Sequence, residues 1–388
     1  MGVISALGES LDASHTALVD SICGIGASQL VKSKHAESLF FGEVKIDNEK
    51  FKKRFNINQP GVTRTTLLAL HAMNDAIADS GLTESELHSY DTALIGASTV
   101  GGMCNTDELY QDAKSETVGS DYISSYDCAS VILFAQKHFG IKGILNTINT
   151  ACSSSANAIM YGAQLIRHGF AKRAIVGGAD SLAKFTINGF NSLGILSPGF
   201  CKPFDKERNG LNLGEGSAFL VLEREEDIGS KKTYCTLAGY CNGNDAFHAS
   251  SLSEKGEGPY IAMQGALHRS GLAAGDIGYI NTHGTGTENN DEVESKAMMR
   301  IFEKVPPFAS TKSKIGHTLG ASAAIESVFS ILGLTNNEIY PSLNFTTPID
   351  STGLIPATMP VKQKLQNVMI NSFGFGGNCS SLIFSKVS

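Results

Sequence analysis

Twice in this chain a short apolar run ends in a polar turn and passes directly into a helical pattern rich in alanine and serine. The first case is GILNTINT running into ACSSSANAIMYGAQLIRHG around Cys152; the second is PPFAST running into KSKIGHTLGASAAIES around His317. Similar strand patterns occur at TALIGAS, RAIVGGAD, SAFLVLE, CTLAGYCNG, IGYINTHG and NVMINSFGF. Helical patterns occur at TRTTLLALHAMNDAIADSG, YIAMQGALHRSG and NDEVESKAMMRIF. Alternation of this kind argues an α/β architecture with buried sheets. GASTVGG near Gly101 and THGTGT near His283 occupy matching places one unit earlier than Cys152 and His317. Such an echo is expected if two similar halves bring their loops to a shared cleft. The charged stretch Glu223–Lys232 (EREEDIGSKK) is the natural boundary, giving halves 1–227 and 228–388.

Cys152 stands where the strand pattern gives way to the helix. Unpaired N–H groups and a partial positive charge at a helix start push a thiol toward thiolate, from about 8.5 into a range of roughly 3.5–7.5. The sequence therefore predicts a nucleophile; a small buried hydrophobe is the alternative for a lone cysteine. His283 and His317 each lie in a glycine-rich turn at the end of an apolar run, the same context as the cysteine. The other eight histidines are read as surface or core residues.

Five motifs follow one another along nearly the whole chain: TACSSS, PFDKERNGLNLGEGSAFLVLE, NTHGTGT, STKSKIGHTLGASAAIE and NSFGFGGNCSSLIF. Together they resemble the decarboxylating, chain-elongating β-ketoacyl-acyl-carrier-protein synthases, members of the thiolase-like condensing enzymes. The resemblance implies an αβαβα layered sandwich made of two similar halves. It implies that Cys152 accepts the acyl group and that His283 and His317 complete a Cys-His-His triad. It places Lys312 and Glu326 in support of the second histidine, and Phe375 at a gate whose backbone N–H helps form an oxyanion hole. Thr285, Thr287 and Phe373 are assigned to the phosphopantetheine arm of the substrate. An acyl carrier protein is the implied partner, together with a second synthase-like subunit in a homodimer or heterodimer. No metal and no cofactor are expected.

The residue chemistry agrees with that resemblance. A thiolate that takes an acyl group from a thioester splits one difficult exchange into two easier ones. Loss of CO2 from a malonyl thioester supplies a carbanion, and its charge develops on the thioester oxygen. Two imidazole N–H groups converging on that oxygen stabilise it. The oxyanion formed during acyl transfer needs other donors, for which the N–H groups of Cys152 and Phe375 are the candidates; the glycines of GFGG permit close approach.

In the middle motif, Asp205, Arg208 and Glu215 read better as a network bracing loops than as catalysts. Asn209 stands where the family has aspartate. Carrier docking on a chain of formal net charge −7 needs a local basic patch; Arg64, Lys202 and Lys206 are the candidates. In the family the text MGVISALGES follows a short hydrophobic first strand that is absent here; either the start lies upstream or the protein manages without it, and in the latter case a neighbouring strand loses a pairing partner.

Eight cysteines without a C-x-x-C pair read neither as a disulfide framework nor as a zinc site, so a reducing cytoplasm is expected. No signal-peptide pattern opens the chain, and no run reads as a membrane span. Two other functional readings stay open. A non-decarboxylating thiolase relative needs a second catalytic cysteine, for which Cys379 is the candidate. A chain-length partner subunit would lack the nucleophile. Initiating synthases carry asparagine in place of His317. GADSLAKFTINGFNSLGILS and HGTGTENND resemble synthases of polyene-type pigment pathways.

Overall fold

The computed structural model describes residues 1–115 and 119–387. Ten strands form two five-stranded sheets. The first contains β1 (Gly2–Ile4), β2 (Thr92–Ala97), β3 (Leu145–Ile148), β4 (Arg173–Asp180) and β5 (Gly216–Glu223), in the order β3-β2-β4-β5-β1. The second contains β6 (Thr236–Asn244), β7 (Tyr279–Asn281), β8 (Phe308–Ala309), β9 (Asn367–Phe373) and β10 (Asn378–Ser385), in the order β8-β7-β9-β10-β6. Counted within each half, both orders are 3-2-4-5-1. Strand directions match as well. The first three neighbours of each order run parallel, and the remaining two pairings are antiparallel.

The helices repeat with the strands. The first half carries α1 (Arg64–Ser80), α2 (Ala129–Phe139) and α3 (Ser154–Arg167); the second carries α4 (Glu257–Ser270), α5 (Glu288–Ile301) and α6 (Ser322–Asn336). Each half is thus one βαβαβαββ unit. α3 and α6 pack against each other between the sheets, while α1 and α2 cover the outer face of the first sheet and α4, backed by α5, that of the second. The result is a thiolase-like αβαβα sandwich.

Small residues make the middle layer possible. A side-chain carbon at Gly162 of α3 would lie 2.3 Å from Val176 on β4, so this helix sits closer to its sheet than a larger residue permits. Every residue of α6 from Ser322 to Leu334 is buried. The stretch Leu319–Asn336 is long and apolar enough to cross a membrane, but 89% of it is buried inside the protein, as a central core helix requires.

Local signals agree with the element ends. Thr63 caps α1 by accepting the Thr66 N–H, and Gly81 ends it with φ 68°. One sequence expectation is overturned here: the neighbouring strand is not left unpaired, because the opening segment itself forms a strand. Gly2–Ile4 pairs antiparallel with Ser217–Phe219 of β5. The strand is only three residues long, too short to show a period. Gly2 is required because α1 crosses it so closely that a Cβ would fall 2.1 Å from the Ala72 carbonyl oxygen. β10 and α2 were not among the elements read from the sequence. In β10 the buried positions include Ser380 and Ser381, which hide its apolar character.

Candidate active site

Duplication brings equivalent strand ends to one place. Cys152 lies in the turn between β3 and α3, His283 follows β7, His317 lies between β8 and α6, and Phe375 lies between β9 and β10. In α/β sheets, loops at the carboxyl ends of strands are where ligand crevices form. The Cys152 sulfur and a nitrogen from each imidazole all lie within 4.8 Å of one another. They open onto a cavity of about 500 Å³ that is also lined by Thr285, Thr287, Phe373 and Phe375.

His317 Nε2 is 3.0 Å from Cys152 Sγ. Its Nδ1 accepts the Leu319 N–H at 3.0 Å, with the Ser322 hydroxyl at 3.0 Å on the same atom. A backbone amide can only donate, so Nδ1 carries the lone pair and the ring proton sits on Nε2, aimed at the sulfur. Burial, and then the Lys312 charge, hold His317 well below the usual histidine range. His283 is depressed in the same way, by burial first, then by Lys312 and His317. Both rings are therefore neutral near pH 7. They meet edge to face, with centroids 5.4 Å apart.

The thiol departs from the sequence expectation. Burial pushes Cys152 up to about 11, opposed by the Lys312 charge and by the N–H groups of Phe375 and of Cys152 itself. The helix start does not lower it below the ordinary thiol range because the side chain is enclosed by protein, and desolvation of a thiolate outweighs a partial charge. The site is thus arranged to receive negative charge during reaction rather than to hold it at rest. Ala151, just before Cys152, has φ 53°. This left-handed turn delivers the chain from β3 into α3.

Lys312 and Glu326 form a pair with Nζ 2.5 Å from Oε1, both side chains essentially inaccessible. Burial raises Glu326 to about 7, with Lys312 opposing that rise. Behind His283 stands a residue that motif reading missed. Glu294 accepts the N–H groups of His283 and Gly284, each at 2.9 Å, and the Asn371 side-chain amide at 3.1 Å. It lies in α5, eleven residues after His283, with no local signal beyond its place in a polar helix. Ser322 was also missed, although it stands five residues after His317 inside the same motif.

Thr285 and Thr287 hydroxyls are 2.8 Å apart, and one of them remains free to turn toward a ligand amide. The Phe373 ring is buried and packs against His283 at 5.7 Å. Phe375 is 37% exposed and stacks on Phe190 with centroids 5.9 Å apart. Asn209 borders the cavity and accepts the Ser197 hydroxyl at 2.9 Å. Asp205 accepts backbone N–H groups of Glu207, Thr346 and Thr347, while Arg208 donates to the carbonyls of Asp205, Thr287 and Glu288. These contacts brace loops, as expected.

Arg64 must be withdrawn from the docking candidates. Its side chain is only 11% exposed, and its guanidinium is committed to Glu215, Val44, Ile46 and Asn48. Lys202 lies 3.8 Å from Glu207 and Lys206 lies 2.7 Å from Asp350; both are at the surface. Cys379 is fully buried on β10, packed with Leu252, Ala262, Val293 and Phe373, and its thiol is raised by burial. Unlike Cys152 it does not line the cavity, which argues against a second nucleophile there.

Two halves of one topology meeting at a buried Cys-His-His group define a condensing enzyme of the thiolase-like class. The chain belongs to the β-ketoacyl synthase family: residues 1–228 match the N-terminal domain of beta-ketoacyl synthase and residues 234–346 its C-terminal domain. It is 33% identical over 337 residues to 3-oxoacyl-[acyl-carrier-protein] synthase 2 of Rhizobium meliloti, covering 82% of this chain and 80% of that protein. It is 30% identical to the enzyme of the same name from Synechocystis, covering 100% and 96% of the two chains. Among solved structures, a ketosynthase in complex with its chain length factor from Xenorhabdus doucetiae matches at 31% identity with TM-score 0.83, covering 100% of this chain and 96% of that one.

Proposed function

We propose that this protein joins an acyl thioester to a malonyl thioester carried on acyl carrier protein, with loss of CO2, lengthening fatty acid or polyketide chains by two carbons. The observation that carries this reading is the Nε2–H of a neutral His317 held 3.0 Å from Cys152 Sγ, with a second neutral imidazole beside it. In the first step the Cys152 sulfur attacks the acyl carbonyl. A C–S bond to Cys152 forms, the bond to the carrier sulfur breaks, and the carrier leaves as a thiol with the Cys152 proton. The N–H groups of Cys152 and Phe375, which already face Sγ, receive the oxyanion. In the second step the malonyl C–C bond breaks, CO2 departs, and the electron pair moves onto the thioester oxygen. His317 and His283 stabilise that oxygen, each donor contributing about 10²–10³ in rate. The carbanion then attacks the acyl-Cys152 carbonyl, a C–C bond forms, and the Cys152 thiolate is released.

The reaction as written needs no cofactor. No metal is proposed at the Cys-His-His group, because the one lone pair of His317 is turned away from the sulfur toward Leu319 and Ser322. Lys312 and Glu326 are proposed to shape the electrostatics of the histidine pair, and Thr285, Thr287 and Phe373 to receive the phosphopantetheine arm. Lys202 and Lys206 remain the docking candidates for the carrier. A second copy or a related synthase subunit is the proposed partner, and the half-exposed strand β3, at the edge of its sheet among the described residues, is the proposed place for it. A cytoplasmic location belongs to the same proposal and is supported by eight cysteines without a disulfide.

The test is intact-mass analysis of a carrier protein incubated with this enzyme, malonyl-carrier and an acyl donor, with Cys152→Ala alongside. A product two carbons longer than the donor, seen only with Cys152 present, is the expected result. Failure of Cys152 to take up an acyl group from any donor refutes the reading.

A further inference from the structure

The gate loop between β9 and β10 is GFGG, residues 374–377, and three of its four residues are glycine. Such a segment has little intrinsic stiffness, yet it must present the Phe375 N–H within tenths of an ångström of a fixed point. Its two ends are fastened to the nucleophile's turn. At the start, the Ser372 hydroxyl donates to the Cys152 carbonyl at 2.9 Å. At the end stands Asn378. Its side-chain Oδ1 receives the Ser153 hydroxyl at 2.7 Å, the Asn157 amide at 2.9 Å and the Asn242 amide at 2.7 Å. Its backbone carbonyl accepts the Gly374 N–H at 2.8 Å, closing the loop on itself.

The partners are themselves tied. Asn157 also donates to the Thr150 hydroxyl at 2.8 Å, and the Ser153 hydroxyl, 2.8 Å from the Thr150 carbonyl, shares its one proton between that oxygen and Asn378 Oδ1. Asn242, on β6, reaches Asn157 Oδ1 and the Ser380 hydroxyl, each at 3.0 Å. One amide oxygen therefore gathers the residue after Cys152, the first turn of α3 and the edge strand of the second sheet, and through Ser153 and Asn157 it is linked to Thr150 before the cysteine. The loop lies flush against that turn: a Cβ at Gly374 would fall 2.6 Å from the Thr150 carbonyl oxygen and 3.2 Å from the Cys152 nitrogen.

We propose that Asn378, held by Ser153, Asn157 and Asn242, is a positioning residue that fixes the Phe375 N–H opposite the Cys152 N–H, so that the acyl-transfer oxyanion meets two donors at once. This rests on the condensing-enzyme reading of the same site. The clamp acts on one half of the chemistry. Phe375 serves acyl transfer to and from Cys152, whereas decarboxylation depends on His283 and His317. Those rings are held by other contacts, the first through the Glu294 hydrogen bonds to its loop and the second through Leu319 and Ser322. Loosening Asn378 separates two steps that the intact enzyme couples.

The experiment compares the wild type with Asn378→Ala and, as a milder variant at the exposed rim of the network, Asn242→Ala. Three quantities are measured: the rate of Cys152 acylation by intact mass, CO2 released from malonyl-carrier, and condensation product. Loss of one well-placed oxyanion donor costs about 10²–10³ in rate, and a displaced donor part of that, so Asn378→Ala is expected to slow acylation and condensation at least ~10-fold. CO2 released per product should rise clearly above the wild-type ratio, and Asn242→Ala should move in the same direction by less. A merely structural role lowers acylation and decarboxylation by the same factor, leaving the ratio unchanged in both variants; that result overturns the inference, as does a wild-type rate of acylation in Asn378→Ala. A wild-type protein whose Cys152 takes up no acyl group overturns the condensing-enzyme reading and this inference with it.

Discussion

Replacing Arg64 by methionine should cost the protein stability and leave carrier recognition untouched. Glu215 is wholly inaccessible, and its oxygens accept the Arg64 guanidinium together with the N–H groups of Val44 and Leu182. It therefore ties the middle motif to the start of α1 and to the segment after β4. Methionine fills similar space but strands the carboxylate. Breaking a buried pair by removing one partner costs about 3–5 kcal/mol. At roughly 2.1 cal/mol/K of unfolding entropy per residue, a chain of 388 residues gives ~0.8 kcal/mol/K, so Tm should fall by about 4–6 °C. Thermal unfolding followed by fluorescence measures the drop. Adding Glu215→Gln, which removes the stranded charge while keeping the shape, should recover part of it. Kinetics of the purified Arg64→Met protein supply the second arm, with KM for carrier-bound substrate and for a small thioester mimic expected to change by the same factor. An unchanged Tm combined with a raised KM for the carrier alone would refute the reasoning and return Arg64 to the docking surface.

Alkylation of Cys152 by iodoacetamide should keep accelerating through pH 9. With the thiol pushed up to about 11, deprotonation is the limiting quantity, and the thiolate fraction grows about tenfold for each pH unit below that value. A rate that levels off below pH 8, followed by mass spectrometry at this residue, contradicts the dominance of burial. Cys379→Ala should condense with unaltered kcat/KM, because the thiol is buried on β10 away from the cavity; a loss of acyl transfer in this variant would revive the thiolase reading.

Much of the architecture was legible because the relevant forces are local. Strand-to-helix transitions around Cys152 and His317 follow from apolar runs, glycine turns and small-residue helices that each span one contiguous segment. The Ser322 contact to His317 is equally local, five residues along, and was overlooked although the motif contained it. β1 escaped notice for a different reason. Three residues carry no period, and its existence depends on pairing with Ser217–Phe219 far along the chain. Arg64 was misread because a lone arginine at a helix start looks the same whether its head meets water or a carboxylate 151 residues away.

The sequence by itself singled out Cys152, His283, His317, Lys312, Glu326 and Phe375 as the candidate site, since they are recognisable from short motifs whose spacing is written into contiguous chain. Tertiary structure alone decided their state. The thiol's rise, the neutrality of both imidazoles and the burial of Lys312 with Glu326 are consequences of desolvation, and desolvation is a property of everything packed around a group. The clamp at Asn378 is of the same kind: its three donors come from residues 153, 157 and 242, which meet only because two copies of one topology fold their strand ends onto a single cleft.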